Sequence, residues 1–253
     1  MILKTFNKYM VKQNLLFVAV IYLLTSCTSE IKNGNELINL MHQKYAGKWF
    51  NTVAFEEDAV FYEHGKQVKK QVWYEAAKIP GRLIIKYDSL QSGNGLFFSN
   101  DSLYVFRNDT LLSKKRRLHN LLILSLDVYV QPAEKTISGL LELGYNLDKI
   151  YTDTWQGKAV YVVGANKGDT ISTQCWIDKE NMLFLRMIGT DKGKRKEVIF
   201  NNYKPLGSGW MEQEVIFKFS NDIYMKENYY NVRIPSSISD YIFSTINFKT
   251  KSW

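Results

Sequence analysis

The chain has few of the residues on which the commoner site chemistries depend. Cysteine occurs twice in 253 residues and histidine three times. Two cysteines, Cys27 and Cys175, exclude a disulfide-stapled fold, and His42, His64 and His119 show no His-x3-His or Cys spacing, so no metal site is expected. There is no Gly-x-Ser-x-Gly elbow, no P-loop and no dinucleotide fingerprint; Gly93-Asn94-Gly95 marks a turn in a strand-rich stretch and opens no helix. No catalytic residue and no cofactor is expected, and the chain is placed among binding proteins rather than enzymes. Glu56, Glu57 and Asp58 supply neighbouring acids, but neighbours on a strand point to opposite faces, so a solvated strand face is expected there. Long apolar runs are also lacking. Leu15 to Leu24 is about half of the roughly 20 residues a membrane-crossing helix needs.

That short run fits an export leader instead. Lys4, Lys8 and Lys12 precede it as a positive n-region, and Leu24-Thr25-Ser26-Cys27 follows it. The tetrapeptide resembles the lipobox of bacterial lipoproteins, which implies cleavage before Cys27 and diacylglycerol, then palmitate, on that residue. The thiol is required because its thiolate is the attacking group. Several acyl chains on one residue make a stable anchor where a single chain does not. The expected organisation is a signal peptide over 1–26, a tether over 27–35 and one domain over 36–253. Removing a leader with three lysines and no acid leaves a formal charge of +5 from +8, a mildly basic domain. An exported protein rarely meets nucleic acid, and the basic runs Lys114 to Arg117 and Lys192 to Lys196 are expected in turns or at helix starts, with anionic headgroups as their other possible contact.

Within the domain, Leu37, Leu40, Met41 and Tyr45 recur at helical spacing between Asn35, a candidate N-cap, and Gly47. From Thr52 short Val-, Ile-, Phe-, Tyr- and Trp-rich runs alternate with turn residues: 52–62, 67–77, 82–88, 95–99 and 102–107. In 82–88, Leu83, Ile85 and Tyr87 face one way and Arg82, Lys86 and Asp88 the other, so one face is expected to be wet. Helices are predicted over 114–130 and 132–143, the second opening at Pro132 and closing at Gly144. Strands resume over 149–154, 159–165, 170–178, 183–189, 197–203, 210–219 and 229–232. The fold class that follows is mainly β with few helices (α+β): one large curved antiparallel sheet, its concave side covered by helices.

Aromatic residues make up 14% of the chain, many of them on predicted strands. A curved sheet under helices can leave an apolar cavity, and Trp73, Ile85, Phe98, Leu122, Leu140, Trp176 and Leu185 are the candidates for its lining. The order of elements, lipobox first, is similar to the LolA/LolB-like periplasmic lipoprotein carriers and lipid-binding relatives. The residues that carry this resemblance are Cys175-Trp176-Ile177-Asp178 before Leu183 to Met187, Tyr203-Lys204-Pro205, and Tyr230-Asn231-Val232 leading to Ile234-Pro235 and Phe243. The resemblance implies an unclosed half-barrel whose helices lid a cavity for acyl chains. It also implies a lipid or acylated lipoprotein as partner, and a lipid-anchored place at the outer membrane facing the periplasm. The alternative is an envelope lipoprotein with a packed core that binds a protein or a glycan.

Overall fold

The computed structural model describes residues 30–191 and 193–253; the proposed leader and Cys27 lie outside the described residues. Alternating apolar and polar positions give β1 (Thr52–Glu63), β2 (Lys66–Lys78), β3 (Arg82–Tyr87), β4 (Gly95–Ser99), β5 (Ser102–Arg107) and β6 (Thr110–Arg116). After an interlude of helices come β7 (Ile150–Trp155), β8 (Lys158–Val163), β9 (Gln174–Asp178), β10 (Phe184–Asp191) and β11 (Lys194–Asn201). The short hairpin β12 (Lys204–Leu206) and β13 (Gly209–Met211) precedes β14 (Glu214–Phe219) and β15 (Asp222–Arg233). Thirteen strands form one antiparallel sheet, in the order β6-β5-β4-β3-β2-β1-β15-β14-β11-β10-β9-β8-β7, and it is not closed into a barrel. The first strand pairs with the last, so two meanders are joined along a single seam.

Three helices lie among the described residues: α1 (Gly34–Tyr45), α2 (Asn120–Ser125) and α3 (Ala133–Glu142). The N-cap of α1 is Asn33, two residues before the candidate Asn35. Its side chain accepts from the Glu36 N–H at 2.9 Å, satisfying one free helix donor, and the Glu36 carboxylate accepts from the N–H of Lys32, the residue before the cap, at 2.8 Å. A Cβ on Gly34 would stand 2.7 Å from Val163 Cγ1, so the start of α1 lies directly on β8 and only glycine fits there. Tyr129, in a 3-10 turn after α2, fastens the helices to the sheet. Its hydroxyl donates to the Met182 carbonyl at 3.1 Å and accepts from the Phe184 N–H at 3.2 Å, while its ring stacks on Trp49 at 4.0 Å.

Three expectations are corrected. The helix predicted over 114–130 is two different things: Lys114 to Arg116 finish the exposed edge strand β6, and α2 is a six-residue helix followed by the turn Asp127–Tyr129. A run of four cations has no apolar stripe to bury, whereas an edge strand can carry charge on both faces. The last strand is three times the length expected, because Ser220 and Asn221, both at positive φ, turn the chain straight back from β14. Finally, the outer face of β3 is not wet. Residues 235–253 cross it, laying Ile238, Ile242, Phe243 and Phe248 on Ala54, Ala76, Ile84, Phe97 and Phe106. Lys86 is wholly buried there, its ammonium donating to the carbonyls of Phe248, Lys249 and Lys251 at 3.1, 3.0 and 2.9 Å.

Candidate functional site

Strand register builds the other face row by row. Val53, Ala77, Leu83, Phe98 and Leu103 form one row; Phe55, Glu75, Ile85, Leu96 and Val105 form the next; Glu57 lies between Tyr229 and Trp73, with Tyr87 beyond. The helices cover this face, since the His119 ring that caps α2 meets Phe98 at 4.4 Å. His119 Nδ1 accepts from the Leu122 N–H at 3.0 Å, which requires a neutral ring, and burial, followed by Arg117, pushes its pKa down to about 4.

Acids stand where such a face is expected to be apolar. Glu57, Glu75 and Glu227 point inward from β1, β2 and β15, and Glu212 approaches from the end of β13; all four are buried. Neither oxygen of Glu57 has a hydrogen-bond partner, and Oε2 of Glu212 has none. Burial, then the neighbouring acids, pushes Glu57 and Glu75 well above the usual carboxylate range. Burial pushes Glu212 to about 8; Glu227 also rises to about 8, although the Tyr229 hydroxyl donates to it at 3.2 Å. Glu57 and Glu75 are near enough to share a proton, though neither Glu57 oxygen meets hydrogen-bond geometry in this arrangement. Burial and mutual repulsion thus favour the neutral form throughout the group.

The acids have an aromatic flank. Trp73 contacts Tyr87 with ring centroids 5.0 Å apart and Phe61 at 6.1 Å, and Phe55 stacks on Tyr229 at 4.5 Å. Tyr87 is raised to about 12, by burial first and then by Glu75 and Glu57. The same tyrosine lines a groove of about 480 Å³ together with Lys69, Gln71, Asp88, Val105, Arg107 and Leu112. A second groove, of about 730 Å³, lies at the start of α1, lined by Asn35, Ile137, Leu141, Tyr145 and Leu147.

Of the candidate lining residues, Trp73, Ile85 and Phe98 share the helix-covered face, and Leu122 and Leu140 are buried on α2 and α3. Trp176 and Leu185 are elsewhere. They pack with Val160 and Val162, while the neighbouring Cys175 pairs with Val163, the residue under α1. On their face Arg186 is held between Trp155 and Trp176, 4.0 and 4.5 Å from the ring centroids, and donates to Glu197 at 2.5 Å. Sequence reasoning missed the acids. Their signal was the phase of Phe55-x-Glu57-x-Ala59 and Trp73-x-Glu75-x-Ala77, which puts each glutamate in line with apolar residues, so the solvated reading of Glu57 is wrong.

Among the described residues no set of His, Cys, Asp and Glu is arranged to hold a metal ion, and no helix is long and apolar enough to cross a membrane. No family model and no curated protein matches the chain. Solved structures do. A domain described as an outer membrane lipoprotein-sorting protein, from Vibrio parahaemolyticus, superposes with a TM-score of 0.57 at 14% identity, covering 86% of this chain and 98% of its own. A DUF1329 family protein from Desulfovibrio piger gives 0.55 at 16% identity, with 83% and 95% covered. A LolA superfamily protein from Nitrosomonas europaea gives 0.54 at 14% identity, with 82% and 97% covered.

Proposed function

Starting from a LolA-like fold, we propose that this protein is a non-enzymatic lipoprotein that binds a lipid or an acylated protein between its sheet and its helices. It is anchored through Cys27 at the outer membrane, facing the periplasm, and serves in lipoprotein sorting there. The observation that carries the reading is the combination of an unclosed thirteen-stranded sheet with one face lidded by short helices. Acyl chains entering beneath the six-residue and ten-residue helices would gain about 0.8 kcal/mol per buried methylene. Trp73, Ile85, Phe98, Leu122 and Leu140 would contact them. Export of the Cys27→Ser chain, purification without detergent, native mass spectrometry and organic extraction test this. Bound mass that extracts as phospholipid or acylated peptide is the expected result; a clean apo mass with no uptake of a fluorescent fatty acid overturns it.

The second reading, an envelope lipoprotein that binds a protein, is favoured by β6. Every residue of that edge strand is exposed, Leu111 and Leu112 included, and an open edge can pair with a strand of another chain. One stoichiometric protein partner and no lipid in a pull-down from envelope extracts would favour it.

A further inference from the structure

The groove beside Tyr87 and the acids behind it lie on one face of the sheet. Lys69 and Gln71 continue the inward side of β2 from Trp73, and Val105 continues the row of Glu75 and Ile85. The groove opens where Lys69 and Arg107 stand at its rim with Asp88 between strands, and its wall is Tyr87. Behind that wall are Trp73, whose indole Nε1 is buried without a partner, and Glu57, wholly buried with no donor on either oxygen and only the neighbouring acid Glu75 beside it. From outside inward the order is therefore cation, aromatic ring, acid.

We propose that this groove takes the headgroup of an amine-bearing zwitterionic phospholipid, its phosphate on Lys69 and Arg107 and its ammonium against Tyr87 and Trp73, backed by Glu57 and Glu75. Aromatic faces attract ammonium groups, and more strongly where water is excluded. Unpartnered buried oxygens gain a counter-ion when an ammonium arrives, and a carboxylic acid that meets a cation gives up its proton. The other titratable groups facing the acids are Glu227 and Tyr229 on β15 and Glu212 after β13; none is a cation, so no protein group competes for the ligand's place. An anionic lipid without an amine satisfies the rim alone. The inference rests on the lipid-binding reading and specifies its ligand.

The test is titration calorimetry of the protein with dihexanoyl-phosphatidylethanolamine and dihexanoyl-phosphatidylglycerol, both monomeric in water, each in two buffers of different ionisation enthalpy near pH 7. The amine lipid is expected to bind at least tenfold more tightly, with a heat that depends on the buffer because protons leave the acids. In E57Q and in E75Q the preference should fall below threefold and the buffer dependence should vanish. K69A/R107A, at exposed rim positions, should weaken both lipids. Equal affinity for the two lipids, or a preference that survives in both glutamine variants, overturns the headgroup assignment while leaving lipid binding intact. Phosphoethanolamine binding as tightly as the lipid would overturn the lipid source. Failure of both lipids, together with no uptake of a palmitoylated peptide, would overturn the functional reading itself.

Discussion

A carboxyl group with no exposed atom and no partner, as at Glu57, is tolerable in a folded chain only in its neutral form. The pH dependence of stability follows in sign. Glu212 and Glu227 rise from 4.5 to about 8 on folding, so the folded chain holds more protons than the unfolded one between those values. Their contribution is complete below the unfolded value and is lost as pH rises through about 8. Asp127, pushed up to about 7 by burial against the opposing Gly81 N–H, acts in the same direction. His119, pushed down to about 4, acts in the other: its contribution is lost as pH falls from 6.5 through 4. Between pH 4.5 and 6.5 the three raised acids outweigh the one histidine, so melting temperature should be highest near pH 4.5 and decline steadily to pH 8.5, with a shallower decline in E57Q; a flat profile from 5 to 8.5 would contradict the buried acids. Little of this was legible in the sequence. Phase placed Glu57 and Glu75 inward, but an isolated glutamate on a strand is usually solvated, and nothing local shows that Glu227 and Glu212, far along the chain, complete the group.

Elements fared better where one face had to be buried. The 82–88, 95–99 and 102–107 strands and the helix after Pro132 were legible because their apolar positions repeat cleanly at period two or at helical spacing. Lys114 to Val130 failed because leucines at 118, 121 and 122 suggested a helix that in fact begins only at Asn120 and soon tightens into a 3-10 turn. That turn is tied down by the Tyr129 hydroxyl, by the ring's stack on Trp49 and by Asp127, which accepts from the Gly81 N–H at 2.9 Å. Tyr129→Phe leaves the Phe184 N–H without its acceptor and should cost about 1–2 kcal/mol, a fall of several degrees in melting temperature by calorimetry. The C-terminal tail is the element that composition could not reveal, since 3-10 turns carry no long periodicity. Lys86→Met keeps the side-chain bulk but takes the ammonium from the Lys249 and Lys251 carbonyls and leaves that of Phe248 with only the Lys251 N–H at 3.3 Å, and should cost roughly 2–3 kcal/mol in a urea titration. Deleting residues 234–253 uncovers Ile84, Phe97 and Phe106 together, and soluble yield should collapse.

At the scale of the molecule, class and architecture were legible because a long meander with few helices has few ways to bury itself. The lidded face was legible as an expectation, but not which side chains share it. Trp176 and Leu185 were placed wrongly with Trp73 because alternation fixes a strand's two faces without saying which of them meets the helices. The anchor is tested most directly by metabolic labelling: radiolabelled palmitate should enter the full-length chain and be absent from Cys27→Ser, and label persisting in that variant would remove Cys27 as the acylated residue. The pairing of β1 with β15 bears on how the chain acquires this shape. The strand nearest the beginning waits for the strand nearest the end, and the tail that seals the outer face arrives later still. Synthesis from the N-terminus thus delivers almost the whole polypeptide before its middle seam can form, leaving an unpaired edge at β1 and an oily strip at Ile84 and Phe97 in the interval. A holding chaperone is the natural companion of such a topology, and its removal should be felt by this protein before it is felt by proteins whose first strands pair only with their neighbours in sequence.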